Sequence, residues 1–241
     1  KLADAGQSIW LDFIQRSFTE SGELQRLIDK GVIGVTSNPT IFEKAISAGA
    51  EYDEQIRSLL AAGLAVEAVY EELTLRDISR AADLFRPVYD SSQRLDGYVS
   101  LEVNPLLAHD TSATVQEALR LFKKVDRPNV MIKVPATPQG IPAIRTLIAA
   151  GINVNITLLF NARQYGQVVQ AYLEGLESLT LSGGNPDHVA SVASFFVSRI
   201  DTAIDAVLKK KGVRQLQGTI AIAACKNIYA DFKTYFQGPR W

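Results

Sequence analysis

A single cysteine, Cys225, stands in 241 residues. No internal disulfide can form, which fits a reducing compartment and an expected cytoplasmic location. Only two histidines occur, His109 and His188, and neither has metal-ligand spacing to the cysteine or to the other. Charge of one sign is also missing: the formal net charge is −1, which argues against nucleic acid and polybasic membrane partners. Long apolar runs are absent too. The stretch from Ile152 to Phe160 is too short to span a bilayer and is interrupted by asparagines. No signal-like segment opens the sequence. The only methionine is Met131, so the native start is expected to be missing or processed. No glycine-rich nucleotide loop follows any expected strand.

What is present is 47% apolar residues in a chain long enough for one large α/β domain. Apolar, β-branched stretches alternate with helical periodicity. Strands are expected at Ser8–Phe13, Val32–Thr36, Tyr98–Asn104, Val130–Val134, Ile152–Leu158 and about Val189–Phe195. Helices are expected over about 22–30, 112–124, 141–150, 162–178, 198–211 and 219–236, and residues 41–85 read as two or three helices broken near Gly63. Thr114 and Glu117 suggest a capping box, with Val115, Leu119 and Phe122 turned inward. Cys225 reads as core, and the Asn155-Ile156-Thr157 sequon is discounted because it falls in an expected buried strand.

Six strand–helix units in succession favour a TIM (β/α)8 barrel, with about six of its eight βα units in this chain, over a doubly wound sheet. The expectation is one barrel domain over residues 1–241 that lacks its last two strands, because an open six-stranded sheet would leave two unpaired edges.

Barrel active sites gather at the carboxyl ends of the strands. Nearly every expected strand here carries polar residues near that end: Asp12; Thr36 and Asn38; Ser100, Glu102 and Asn104; Lys133; Asn153, Asn155 and Thr157; Ser191 and Ser194. Lys133 stands out, a lysine amid β-branched residues on a strand expected to be buried on both faces. Desolvation disfavours the ammonium and frees the amine to attack a carbonyl. Taken alone the residue favours an ordinary reading, an edge lysine with packed stem and hydrated head. Asp12 or Glu102 alone reads as a solvated charge, and Asn38-Pro39 as a turn pair. Together, two carboxylates and a lysine on one rim can run imine chemistry, in which the iminium serves as an electron sink for carbon–carbon cleavage.

Two segments, Gly34-Val35-Thr36-Ser37-Asn38-Pro39-Thr40-Ile41-Phe42 and Val130 through Arg145, resemble signatures of the transaldolase family. The stretches 10–12, 153–160 and 194–201 agree, so the resemblance covers essentially the whole chain. It implies that Lys133 forms a Schiff base with a donor ketose, that Asp12 is the acid/base, and that Glu102 and Thr157 position the water for imine formation and hydrolysis. It implies that Thr36, Asn38, Asn155 and Ser194 line the site around the dihydroxyacetone unit. Arg199 then binds phosphate, as its permanently charged fork suits, and Phe196 forms an aromatic wall. The implied reaction moves a dihydroxyacetone unit from sedoheptulose 7-phosphate to glyceraldehyde 3-phosphate, giving erythrose 4-phosphate and fructose 6-phosphate in the pentose phosphate pathway. The expected partners are small sugar phosphates, with no metal or organic cofactor, no nucleic acid and no membrane. A homodimer, or a fusion to phosphoglucose isomerase as in some relatives of the longer bacterial and plant type, is compatible with it. Two rivals stand beside this reading: a fructose 6-phosphate aldolase-like enzyme, and a non-catalytic sugar-phosphate-binding module. Glu102 and Phe196 favour the first reading, because the aldolase relatives tend to carry glutamine and tyrosine there.

Overall fold

The computed structural model describes residues 2–238, 240 and 241. Six strands alternate with helices: β1 (Ile9–Leu11), β2 (Val32–Val35), β3 (Tyr98–Glu102), β4 (Val130–Pro135), β5 (Val154–Leu159) and β6 (Ser191–Phe195). Most are short apolar runs with valine, isoleucine or leucine, and Gly31, Gly97, Asn129 and Asn153 immediately precede β2, β3, β4 and β5. The helices are α1 (Arg16–Glu20), α2 (Glu23–Asp29), α3 (Pro39–Ala48), α4 (Asp53–Ala61), α5 (Val66–Ser91), α6 (Thr111–Val125), α7 (Gly140–Ala149), α8 (Ala162–Leu181), α9 (Val197–Lys210) and α10 (Ile220–Tyr235).

The chain divides into two compact units, one of residues 1–105 and 116–133, the other of residues 106–115 and 134–241. In the first, β1 to β4 lie in chain order and every pair is parallel. A doubly wound sheet reverses its strand order at a switch point. No reversal occurs here, and the order is that of successive βα units of a barrel. In the second unit β5 and β6 pair in parallel. The fold is thus α/β, with six of the eight units of a (β/α) barrel in this chain.

All six residues of β4 are buried, as both faces of a parallel strand should be. Gly34 on β2 is needed because Trp10 of β1 lies across it: a Cβ there would sit 2.5 Å from the indole ring. Burial without paired polar groups is costly, and a buried ion pair shows how the first unit meets that constraint. Arg16 on α1 donates from Nε to Asp77 of α5 at 2.9 Å, its guanidinium lies 4.4 Å over the Tyr52 ring, and Tyr52 donates its hydroxyl to Asp77 at 2.8 Å. Burial pushes the Asp77 carboxyl up, against the opposing hydrogen bond from Arg16.

Several local expectations are corrected. The 41–85 region forms three helices with a break around Gly63, as expected, but the last runs on through Pro87 to Ser91. The expected capping box at Thr114 is not the start of α6. Asp110 caps that helix by accepting from the Ala113 N–H at 2.9 Å, while the Thr114 hydroxyl, already inside it, donates to the Leu107 carbonyl. The buried stripe of α6 is Thr114, Ala118, Leu121 and Val125, a face that leaves Leu119 39% exposed. Cys225 is half-buried rather than core: it lies on α10 and lines a cleft rather than a packed interior. No helix among the described residues is long and apolar enough to cross a membrane.

Candidate active site

The first unit carries the lysine and both carboxylates. Register puts Glu102 of β3 directly beside Lys133 of β4, and the twofold alternation of a strand sends both side chains to one face. Lys133 is only 6% exposed, which disposes of a hydrated edge lysine. Its Nζ donates to the Ser37 carbonyl at 3.2 Å and forms an ion pair with Glu102 at 3.5 Å. A buried ammonium needs such partners, since leaving it alone in a low-dielectric interior costs several kcal/mol. Ser37 is held in turn by its hydroxyl, which donates to the Ser100 carbonyl at 2.7 Å. The Lys133 carbonyl accepts from the Val103 N–H at 3.2 Å, tying the two strands on either side of the pair.

The other first-unit candidates differ. Asp12 lies one residue past β1 and is exposed, while Lys133 forms its ion pair with Glu102. Thr36, half-buried just past β2, donates its N–H to the Leu11 carbonyl at 2.9 Å. Asn38 is the N-cap of α3: its Oδ1 accepts from the Ile41 N–H at 2.9 Å, and Pro39 opens the helix behind it. The turn pair seen in sequence is a helix start, which leaves the Asn38 amide NH2 for other partners.

In the second unit the strand candidates Asn155, Ser194 and Thr157 are neutral, and the charged one, Arg199, lies outside the strands. Asn155 is 1% exposed and its Oδ1 accepts from the Ser194 hydroxyl at 2.7 Å. Asn153 Oδ1 accepts from the Ala190 N–H at 2.9 Å, so its polarity holds the entry to β6. Thr157 is buried, and its carbonyl accepts from the Ala136 N–H at 2.9 Å. The Arg199 guanidinium lies 4.7 Å over the Phe196 ring, while Phe160 leans on the same ring at 5.5 Å. Arg199 itself is exposed at the start of α9, where a charged fork on an aromatic face can meet an anion.

The turn after β4 is equally fixed. Thr137 donates its hydroxyl to the Ala108 carbonyl at 2.6 Å and accepts from the Gly140 N–H at 2.8 Å. A side chain at Gly140 would collide with the Pro135 carbonyl, so only glycine lets α7 start this close to the strand.

Sequence reasoning missed Ser37, Tyr70 and Gln164. Ser37 sits within the Gly34–Phe42 signature, so the signal was present. Tyr70 shares with Glu102, Asn38 and Phe42 a cleft of about 500 Å³, and burial, with the Glu102 charge next, raises its hydroxyl to about 12. Lys133 does not line that cleft. In the second unit an apolar cleft of about 380 Å³, lined by Tyr165, Tyr172, Phe195, Cys225 and Phe236, holds none of the expected catalytic residues.

Residues 9–238 match the family model described as Transaldolase/Fructose-6-phosphate aldolase. The chain belongs to that family. Among its curated relatives, the protein named transaldolase from Saccharopolyspora erythraea is 52% identical over 242 residues, covering all of this chain and 66% of that protein. The transaldolase of Trichodesmium erythraeum is 44% identical, covering all of this chain and 67% of its own length. That of Mycobacterium tuberculosis is 47% identical over 98% of this chain and 64% of its own length. The chain spans about two thirds of the length of these relatives.

Proposed function

We propose that this chain carries the imine-forming part of a transaldolase, with Lys133 as the nucleophile. The observation that bears most weight is the Lys133 amine, buried at 6% exposure yet held at 3.5 Å from the Glu102 carboxylate. That is an expensive arrangement for stability alone, because an apolar pair of similar volume packs at lower cost. It suits an amine that must add to a ketone in a dry pocket.

In this reading the Lys133 amine adds to the donor ketone to give a carbinolamine, which loses water to form an iminium. A carboxylate then removes the proton from the hydroxyl β to the iminium carbon, the carbon–carbon bond breaks, and an aldehyde leaves. Asp12 takes that proton, its exposed place past β1 suiting a group that exchanges protons. Glu102 and Thr157 serve the water that leaves and re-enters. Thr36, Asn38, Asn155 and Ser194 meet the hydroxyls of the three-carbon unit, Phe196 walls the pocket, and Arg199 meets the phosphate. The donor is sedoheptulose 7-phosphate, the acceptor glyceraldehyde 3-phosphate, and the setting cytoplasmic, as the single cysteine suggests.

One observation supports a second reading, a fructose 6-phosphate aldolase: the family model covers both activities. The names of the relatives and the lack of a hydroxyl at Phe196 favour the transferase. Incubation of the full natural chain with fructose 6-phosphate, reduction with borohydride and peptide mass spectrometry test the proposal. A reduced adduct on Lys133 is expected. A label on another lysine, or none, overturns it, and release of free dihydroxyacetone without an acceptor aldehyde would select the aldolase.

A further inference from the structure

The end of β5 departs from a regular strand. Leu158 has φ of +60°, a left-handed conformation that a bulky side chain rarely adopts. In the β5–β6 ladder Ile156 faces Ala193 and Leu159 faces Phe195, so three steps on β5 answer two on β6. The extra residue makes a bulge, and bulges re-aim the side chains beside them. The residue just before Leu158 is Thr157, 1% exposed.

A single side chain holds this bulge. Gln164, in the first turn of α8, donates from Nε2 to the Leu158 carbonyl at 2.9 Å and to the Ala136 carbonyl at 2.8 Å. Its Oε1 accepts from the Phe160 N–H at 3.0 Å. Its own N–H donates to the Asn161 cap at 2.9 Å, which fixes its backbone. Ala136 in turn donates its N–H to the Thr157 carbonyl. The Gln164 amide therefore grips the backbone on both sides of Leu158 and the residue bonded to Thr157. Only a group that is donor and acceptor at once can do this, because a carboxylate would face two carbonyl oxygens.

We propose that Gln164 is a positioning residue for the water-dependent steps: by holding the Leu158 bulge it sets where the Thr157 hydroxyl points. The inference rests on the reading of Lys133 as the imine lysine and Thr157 as a water-binding residue. In the step concerned, water adds to the iminium carbon, the carbon–nitrogen bond breaks, and the water's protons end on the Lys133 amine as the ketone re-forms. A hydroxyl misplaced by a fraction of an ångström would slow that addition without weakening sugar binding.

The test uses the full natural chain with Gln164→Ala, Gln164→Glu, Thr157→Val, the Gln164→Ala/Thr157→Val double variant and Gln164→Ala/Leu158→Gly. Rates of imine formation and hydrolysis come from rapid quenching into borohydride, read beside KM and the thermal midpoint. Gln164→Ala should slow both imine steps on the order of tenfold with KM little changed, and Gln164→Glu should do no better. Leu158→Gly should restore part of the rate, since glycine takes a positive φ without the clamp. In the Thr157→Val background, loss of Gln164 should add almost nothing. An equal slowing in both backgrounds, or a lowered thermal midpoint with unchanged imine rates, overturns the proposal. A parent that forms no Lys133 adduct instead defeats the underlying reading, and this inference with it.

Discussion

Lys133 in the first unit and Asn155 in the second are both strand residues, 6% and 1% exposed, yet they are kept inside by different means. Lys133 is held by charge, through the Glu102 carboxylate at 3.5 Å and the Ser37 carbonyl at 3.2 Å. Asn155 is held by a neutral hydrogen bond from Ser194 at 2.7 Å. Removing one partner of a buried ion pair costs roughly 3–5 kcal/mol, whereas a neutral hydrogen bond contributes about 0.5–1.5 kcal/mol net. Among the second unit's candidates, the charged one is outside: Arg199 lies over the Phe196 ring. Under the proposed roles, bonds change at the buried Lys133 pair and a ligand is held at the exposed Arg199. Variants on the two sides should divide accordingly.

The largest effect is expected at the charged pair. Glu102→Gln keeps the shape and removes the charge beside Lys133, and should lower kcat by about 10²-fold through slower imine formation and hydrolysis, with KM little changed. Borohydride trapping should still mark Lys133, only more slowly. Imine rates equal to the parent's would remove Glu102 from the water steps. In the second unit, Arg199→Met keeps the packing on Phe196 and removes the charge. It should raise KM for a phosphorylated donor about tenfold, near the 1.4 kcal/mol of one charge-assisted contact, and leave kcat within about twofold. An unphosphorylated ketose should not notice the change. Should Arg199→Met lower kcat as steeply as Glu102→Gln, the division between the two units fails.

The first side of that comparison was easier to read from sequence than the second. Lys133 and Glu102 each have an ordinary reading alone, but as charges near the ends of neighbouring strands they gain meaning together, and strand alternation plus parallel register sets them side by side. The order of the six strands follows from the same alternation. What the alternation hides is local. Asn38 looked like a turn, but its cap bond to Ile41 depends on where α3 begins. Thr114 looked like a cap, but Asp110 takes that place one turn earlier, and Leu119, expected inward, is 39% exposed. The Leu158 bulge and its Gln164 clamp left no trace, because a leucine at positive φ breaks the pattern that reading a strand relies on. Pairings across distant positions, such as the Ser37 carbonyl on Lys133, belong to tertiary structure and no local spacing encodes them.

The smallest effect tests whether charge matters to the first unit's stability as well as to its chemistry. Glu71 lines the same cleft as Glu102 and accepts from Arg120 at 2.7 and 2.5 Å and from Lys124 at 2.6 Å. The Arg120 hydrogen bonds are the main reason that its carboxyl is lowered to about 2, from an ordinary 4.5. A carboxyl lowered by folding stabilises the native state above its unfolded value, and loses that contribution as pH falls from about 4.5 towards 2. Because Arg120 and Lys124 are 42% and 43% exposed, solvent screening reduces the contribution to about 1 kcal/mol. Glu71→Gln should therefore lower the urea midpoint at pH 7 and converge on the parent near pH 2. Glu177 in the second unit, paired with Arg240 at 2.6 Å in full solvent, is the control. Its Gln variant should unfold with the parent at every pH, and a loss matching that of Glu71→Gln would mean that the charge dependence is not particular to the unit that holds Lys133.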